Sequence, residues 1–149
     1  MTSSEERILK TLRRDSTFLA ALATCNQDGQ PWVRYVVGVV GDDLTMRFPT
    51  FVGTKKVAHI RRHPEVHVTC GDTSNLTPGT YLQIEAHAEI ADSTEERVLC
   101  WTPRLEKWFD GPEDPKYAVV RVVPKRIQCL PIGGGEPPQS WEAGNASRC

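Results

Sequence analysis

Hydrophobic positions recur at three- and four-residue spacing near the start of the chain and at every second position through much of the rest. Ile8, Leu9 and Leu12 stand among Arg7, Lys10, Arg13 and Arg14, a helical period that predicts an amphipathic helix over about residues 4–14. Ser3 and Glu6 have capping-box spacing at its start. The apolar run Phe18 to Thr24 fits strand or helix by composition, but Asp28-Gly29 just beyond it favours a hairpin. Trp32 to Val40 is rich in β-branched and aromatic residues and reads as a strand. Leu44 to Thr50 reads as its hairpin partner across Asp42-Asp43. Thr54 as N-cap, Val57 and Ile60 three apart, and Pro64 as a stop define a short helix over Lys55 to His63. Val66 to Cys70 is a short strand and Gly71 to Gly79 a loop. Tyr81 to Ala91 alternates most cleanly: Leu82, Ile84, Ala86, Ala88 and Ile90 face one way, Gln83, Glu85, His87 and Glu89 the other. Ser93 caps a further helix that Pro103 splits, and Tyr117 to Val123 is a last strand that extends past Pro124 toward Leu130. One helix, then about six strands in adjacent hairpins broken by two helices, suits a mainly β fold with an antiparallel barrel.

At 149 residues with 39% hydrophobic side chains, the chain is long enough for one buried core without disulfide or metal staples. The predicted organisation is one domain over residues 1–130 and a Gly/Pro-rich tail over 131–149, either mobile or lying on a neighbouring surface. The longest apolar run is far shorter than a membrane span, and Thr2 to Glu6 form no signal-peptide start. A cytoplasmic protein with neither a membrane nor a nucleic-acid partner is therefore expected, the second point because 18 basic and 19 acidic residues nearly cancel. Five scattered cysteines with no Cys-x-x-Cys pair read as free thiols.

The stretch Phe48 to Val57 carries the most chemistry. Gly53 allows close backbone approach, and the helix starting after Thr54 presents free amides with Lys55 and Lys56 in its first turn. Lysines oppose the dipole there, which makes sense if an anion docks against all of them. Arg34 is a cation in an otherwise apolar strand, and its fork suits a phosphate. A phosphate site of Arg34, Thr54, Lys55 and Lys56 is one reading. On spacing alone, a solvated basic helix face plus an edge-strand arginine is the commoner one.

Arg34 on the preceding strand, Thr50 six residues before Lys56, and Lys55-Lys56-Val57-Ala58-His59-Ile60 running into His63-Pro64-Glu65-Val66 together resemble a known arrangement. It is that of the pyridoxamine 5'-phosphate oxidase-like superfamily, most of all its general stress protein branch. Phe18 to Thr24 with Asp28-Gly29-Gln30-Pro31, the strand Gln83 to Ile90, and Phe109-Asp110-Gly111 with Asp114-Pro115 extend the likeness over about residues 16–126. The resemblance implies a six-stranded antiparallel FMN-binding split barrel of Greek-key type. It implies that Arg34 and Lys56 hold the FMN phosphate with Lys55 and Thr54 assisting, that Tyr35 and Val36 offer backbone groups to the ring, and that Thr50 meets its polar edge. It also implies a homodimer with flavin between subunits, where Tyr81, Gln83 and the Trp101-to-Phe109 segment, Trp108 included, line the pocket from the partner. Ala86 stands where the family carries glycine and Pro49 where its oxidases often carry an aromatic. The Arg-x-His-type segment that binds pyridoxal substrate is not visible between Pro124 and Leu130, so vitamin B6 oxidation is not implied. The implied function is an FMN-dependent oxidoreductase acting on a small molecule. The alternatives are a flavin-binding stress protein without turnover, or a relative that binds haem or a deazaflavin.

Other constellations are weaker. His59, His63, His67 and Cys70 have suggestive spacings, but Pro64 interrupts them and no further donor completes a metal set, so they read as surface histidines. Trp101, Leu105 and Trp108 read as core that could also wall a pocket. No Ser-His-Asp or Cys-His arrangement is evident, and no catalytic residue is assigned.

Overall fold

The computed structural model describes residues 2–13, 15–71, 80–131 and 137–144. The expected loop before Thr80 lies, from Asp72 onward, outside the described residues. Three helices and six strands follow the predicted order, and a seventh strand lies in the expected tail: α1 (Ser3–Leu12), β1 (Phe18–Cys25), β2 (Pro31–Val40), β3 (Met46–Phe51), α2 (Lys55–Arg62), β4 (Glu65–Gly71), β5 (Thr80–Ala91), α3 (Thr94–Cys100), a 3-10 turn (Pro103–Lys107), β6 (Tyr117–Pro131) and β7 (Gln139–Glu142). All strand pairs are antiparallel, in the order β3-β2-β1-β4-β5-β6-β7, and β3 pairs back onto β6. Six strands thus close into a barrel, and β7 extends one end of β6.

Alternation drives the closure. The inward row of β5 (Leu82, Ile84, Ala86, Ala88) meets Leu22, Val68, Phe48, Met46, Val120 and Ile127 in one buried cluster. Helix α1 adds Ile8, Leu9 and Leu12 to that cluster and α2 adds Ile60. The α1 cap is Thr2 with Glu5, one residue earlier than expected. Thr2-Ser3 and Glu5-Glu6 satisfy the motif in two frames, and the earlier one lets Glu5 also accept from the Trp141 indole of β7 (3.3 Å). So part of the expected tail is an edge strand docked on the core.

Three local departures have physical causes. Leu44, expected in β3, is a turn residue at φ 66°, with its amide bonded to Gly41 O. Burial of its side chain (2% exposed) offsets the ~1–2 kcal/mol cost of left-handed backbone. Pro124 is accommodated inside β6 because the β5–β6 register shifts between Glu85 and Ala86, a bulge where the missing amide is tolerated. The segment after Pro103 is a 3-10 turn rather than a second α-helical piece.

The feature that positions the site is a parting of two strands. β2 pairs with β3 only at Val39–Arg47 and Val40–Met46. At Gly38 a Cβ would lie 2.4 Å from Arg47 O and 2.5 Å from the Phe48 ring, so only glycine permits this crossing. Before Gly38 the strands separate, and Pro49, which lacks an amide hydrogen, lies in the stretch of β3 that pairs with β6 but not with β2.

An ion cluster fastens α3 over this region. Arg47 donates from Nε to Glu96 Oε2 at 2.5 Å, and Arg121 Nε lies 3.3 Å from the other oxygen. Arg47, with Arg121 beside it, holds the Glu96 carboxyl below its ordinary value of 4.5. A depressed carboxyl contributes stability above its unfolded-state value and loses it as pH falls through the folded-state value. Glu96→Gln is therefore expected to cost about 1–2 kcal/mol at neutral pH and much less on the acid side of the glutamate range. Denaturant midpoints of both proteins at the two pH values test this; an equal deficit at both would remove the charge from the explanation.

Candidate functional site

Where β2 leaves β3 a cleft of about 250 Å³ opens. Its walls are the β2 segment Tyr35–Val39, the β3 segment Pro49–Phe51, Lys56 of α2, and Thr102, Leu105, Trp108 and Phe109 from the 3-10 region. Phe51 stacks on Phe109 (4.6 Å between centroids) and Phe109 on Tyr117 (4.9 Å), giving one wall a fixed aromatic backing.

The barrel rim beside the cleft is cationic. Arg34 pairs in register with Leu22 and so belongs to the inward row of β2, near the end that α2 covers. Its Nη1 donates to Leu22 O (3.2 Å), Trp32 O (3.2 Å) and Thr24 Oγ1 (2.7 Å). Its Nε and Nη2 have no partner among the described residues. Lys56 is half-buried; desolvation, then the Arg34 charge, lowers its pKa. Neither Arg34 nor Lys56 meets a carboxylate among the described residues. Lys55 is exposed, with Nζ 4.6 Å over the Trp32 ring.

Thr54 is the backbone N-cap of α2, but its hydroxyl does not cap. It donates to Phe51 O (3.1 Å) and lies 3.1 Å from Thr50 Oγ1. The first amides of α2 are thus left without the side-chain acceptor the sequence suggested, beside two lysines.

The ten expected site residues divide accordingly. Tyr35, Val36, Thr50, Lys56 and Trp108 line the cleft. Arg34, Lys55 and Thr54 stand at the adjoining rim. Tyr81 and Gln83 lie apart on β5, Gln83 in the cross-strand row Tyr35–Ala21–Thr69–Gln83 on the outer face. The Trp101, Leu105, Trp108 set separates: Leu105 is core, Trp101 packs on Tyr117 (5.6 Å), and Trp108 is half exposed on the cleft.

The sequence matches the family model described as pyridoxamine 5'-phosphate oxidase over residues 5–130. The chain belongs to the pyridoxamine 5'-phosphate oxidase family. It is 31% identical over 133 residues to general stress protein 26 of Bacillus subtilis (strain 168), covering 89% of this chain and 92% of that protein. The crystal structure of general stress protein 26 from Bacillus anthracis str. Sterne superposes with a TM-score of 0.77 at 23% identity, covering 95% and 99% of the two chains. A heme binding protein from Mycobacterium smegmatis superposes at 0.71 and 16% identity, covering 95% of this chain and 59% of that one.

Sequence reasoning passed over two polar residues of this family member's rim. His59, expected at the surface, is half-buried; its Nδ1 lies 2.9 Å from Thr24 Oγ1 and its ring sits edge-on to Trp32 (5.6 Å). Its position four residues after Lys55 and three after Lys56 put it on their helix face, a usable signal. Thr24 (1% exposed) gave no signal beyond being polar in an apolar strand. Among the described residues no three His, Cys, Asp or Glu side chains gather as they would around a metal ion. No helix among them is long and apolar enough to cross a membrane.

Cys100 touches the cleft but is no nucleophile: burial pushes its thiol up to about 11, and that of Cys70 to about 12. In the folded protein an aromatic disulfide reagent at neutral pH should label half-buried Cys25 and spare Cys70, Cys100 and Cys129. Peptide mass mapping reads the result; Cys100 reacting as fast as Cys25 would mean that the aromatic wall opens.

Proposed function

We propose that this family member is an FMN-binding flavoprotein and an oxidoreductase acting on a small molecule. The observation that carries the reading is the pair Arg34 and Lys56: two partly buried cations side by side, with no carboxylate against either among the described residues. A phosphate dianion supplies that missing charge. Arg34 Nε and Nη2, Lys56 and the first amides of α2 would receive it, with Lys55 swinging from Trp32 and Thr54 assisting. The ring would lie in the cleft, near the β2 backbone at Tyr35 and Val36 that lacks a strand partner on the β3 side, with Thr50 at its polar edge. Bound flavin supplies hydride and electron transfer; the chain's part is orientation, a cationic field that favours reduced anionic flavin, and exclusion of water by Trp108 and Phe109.

A homodimer belongs to the same proposal. Leu19 (58% exposed), Val33 (70%) and Tyr35 (79%) form an apolar outer face on β1 and β2, continuous through Ala21 and Thr69 with Gln83. A second copy seated there would bring Tyr81, Gln83 and Trp108 toward flavin between subunits. The described cysteines are all free, in keeping with a reducing cytoplasm. Haem, the ligand named for one structural neighbour, is less favoured because the cleft lining among the described residues contains no histidine.

Arg34→Ala or Lys56→Ala should weaken FMN by ~1.5–3 kcal/mol while leaving riboflavin, which has no phosphate, almost unchanged. Fluorescence titration measures both; equal affinity of the wild-type protein for the two flavins would end the phosphate argument. Anaerobic addition of NAD(P)H to the yellow complex separates enzyme from carrier. Leu19→Glu with Val33→Glu should yield a folded monomer by sedimentation with weakened FMN binding. A wild-type monomer that binds FMN fully would remove the shared site.

A further inference from the structure

The contacts around Thr24 form a chain of hydrogen bonds from Arg34 to His59. Arg34 Nη1 lies 2.7 Å from Thr24 Oγ1, and a guanidinium only donates, so the threonine oxygen accepts. The same oxygen lies 2.9 Å from His59 Nδ1. Thr24 is buried, and among the described residues the imidazole is the one acceptor within hydrogen-bond reach of its hydroxyl proton. The order is then Arg34 to Thr24 to His59, with Nδ1 as acceptor and the ring proton on Nε2.

We infer that Thr24 and His59 are positioning residues for the anion site, holding the Arg34 guanidinium by Nη1 so that Nε and Nη2 remain for a phosphate, with His59 neutral and protonated on Nε2. The role rests on the phosphate reading of Arg34. With the Thr24 hydroxyl donating to His59, both oxygen lone pairs are left to Arg34, and each bond polarises the next. Leu22 O and Trp32 O complete the seat from the backbone. The groups facing His59 favour its neutral form: Arg34 of β2, Lys55 of α2, and the uncharged Thr24 hydroxyl of β1. Burial, then the Arg34 and Lys55 charges, lowers its pKa. A protonated ring would carry a donor on Nδ1 and set a second cation against the oxygen that Arg34 uses.

Two measurements test this. Long-range proton–nitrogen spectra of the ligand-free protein at neutral pH, assigned with His59→Asn, should show the neutral Nε2-protonated tautomer; an Nδ1-protonated or cationic ring overturns the inference. Affinities for FMN and riboflavin are then compared in folded variants. Thr24→Val is expected to weaken FMN about 10-fold and riboflavin less than about 2-fold, and Thr24→Ser to restore FMN to within about 3-fold. His59→Asn, whose Oδ1 replaces the Nδ1 acceptor, should retain most FMN affinity, and His59→Leu should lose about as much as Thr24→Val. A wild-type preference for FMN that survives Thr24→Val removes the positioning role alone. No preference in the wild-type protein removes the phosphate reading and this role together, whatever the tautomer.

Discussion

The structure turns on the point where β2 crosses β3. Gly38 lies so close to Arg47 O and Phe48 that any side chain would push the strands apart, and only two register pairs hold them together beyond it. The barrel is closed elsewhere by β3 on β6 over six register positions. It can therefore give up pairing between β2 and β3 without losing its core. The opening exposes backbone polar groups that a closed barrel would have satisfied, and a cleft beside a stable sheet is what remains. The ion cluster of Arg47, Glu96 and Arg121 ties α3 to the closed side, which steadies the 3-10 turn and its aromatic wall.

Charge is distributed differently on the two sides. The outer side pairs its arginines with Glu96 and Glu89. The rim does not. Arg34 sits on a core-facing row, where an unpaired cation is expensive, and its Nη1 is satisfied only by neutral oxygens. Lys56 adds a second charge at short range, and the lowered pKa of each group records the cost of desolvation. Among the described residues the pair is left without a compensating carboxylate, at a cost in stability.

Much of this was legible in the chain. Period-two alternation located the strands, and period three to four located α1 and α2, because inside and outside are strongly distinguished in a small barrel. Arg34 and Lys56 stood out because a cation in an apolar strand and lysines at a helix start break local rules, whereas Thr50 was named only by the family resemblance. What stayed hidden depends on long-range contact. Leu44 could not be read as left-handed, since its burial in the core is what tolerates that backbone. The docking of Trp141 on Glu5 spans nearly the whole chain. Thr24 and His59 look ordinary until β1, β2 and α2 are brought together. The cap on α2 was misread in one respect: Thr54 has the right backbone, but the nearby Phe51 carbonyl competes for its hydroxyl.

Helix α2 carries both core side chains and rim cations. Val57 and Ile60 face the core, while Lys55, Lys56 and His59 gather toward Arg34 and Trp32. The lysine charge that weakens the ligand-free fold is the charge that a dianion would neutralise. For Lys56 the sign is definite: a lysine pKa lowered by folding means that its charged form costs stability at neutral pH, a cost that disappears as pH rises past its titration. A phosphate bound as proposed would reverse this by favouring the charged form. Ligand binding and fold stability are then linked through the same side chains, so a bound anion would stabilise the protein by RT ln(1 + [L]/Kd) while relieving a repulsion already built into the rim.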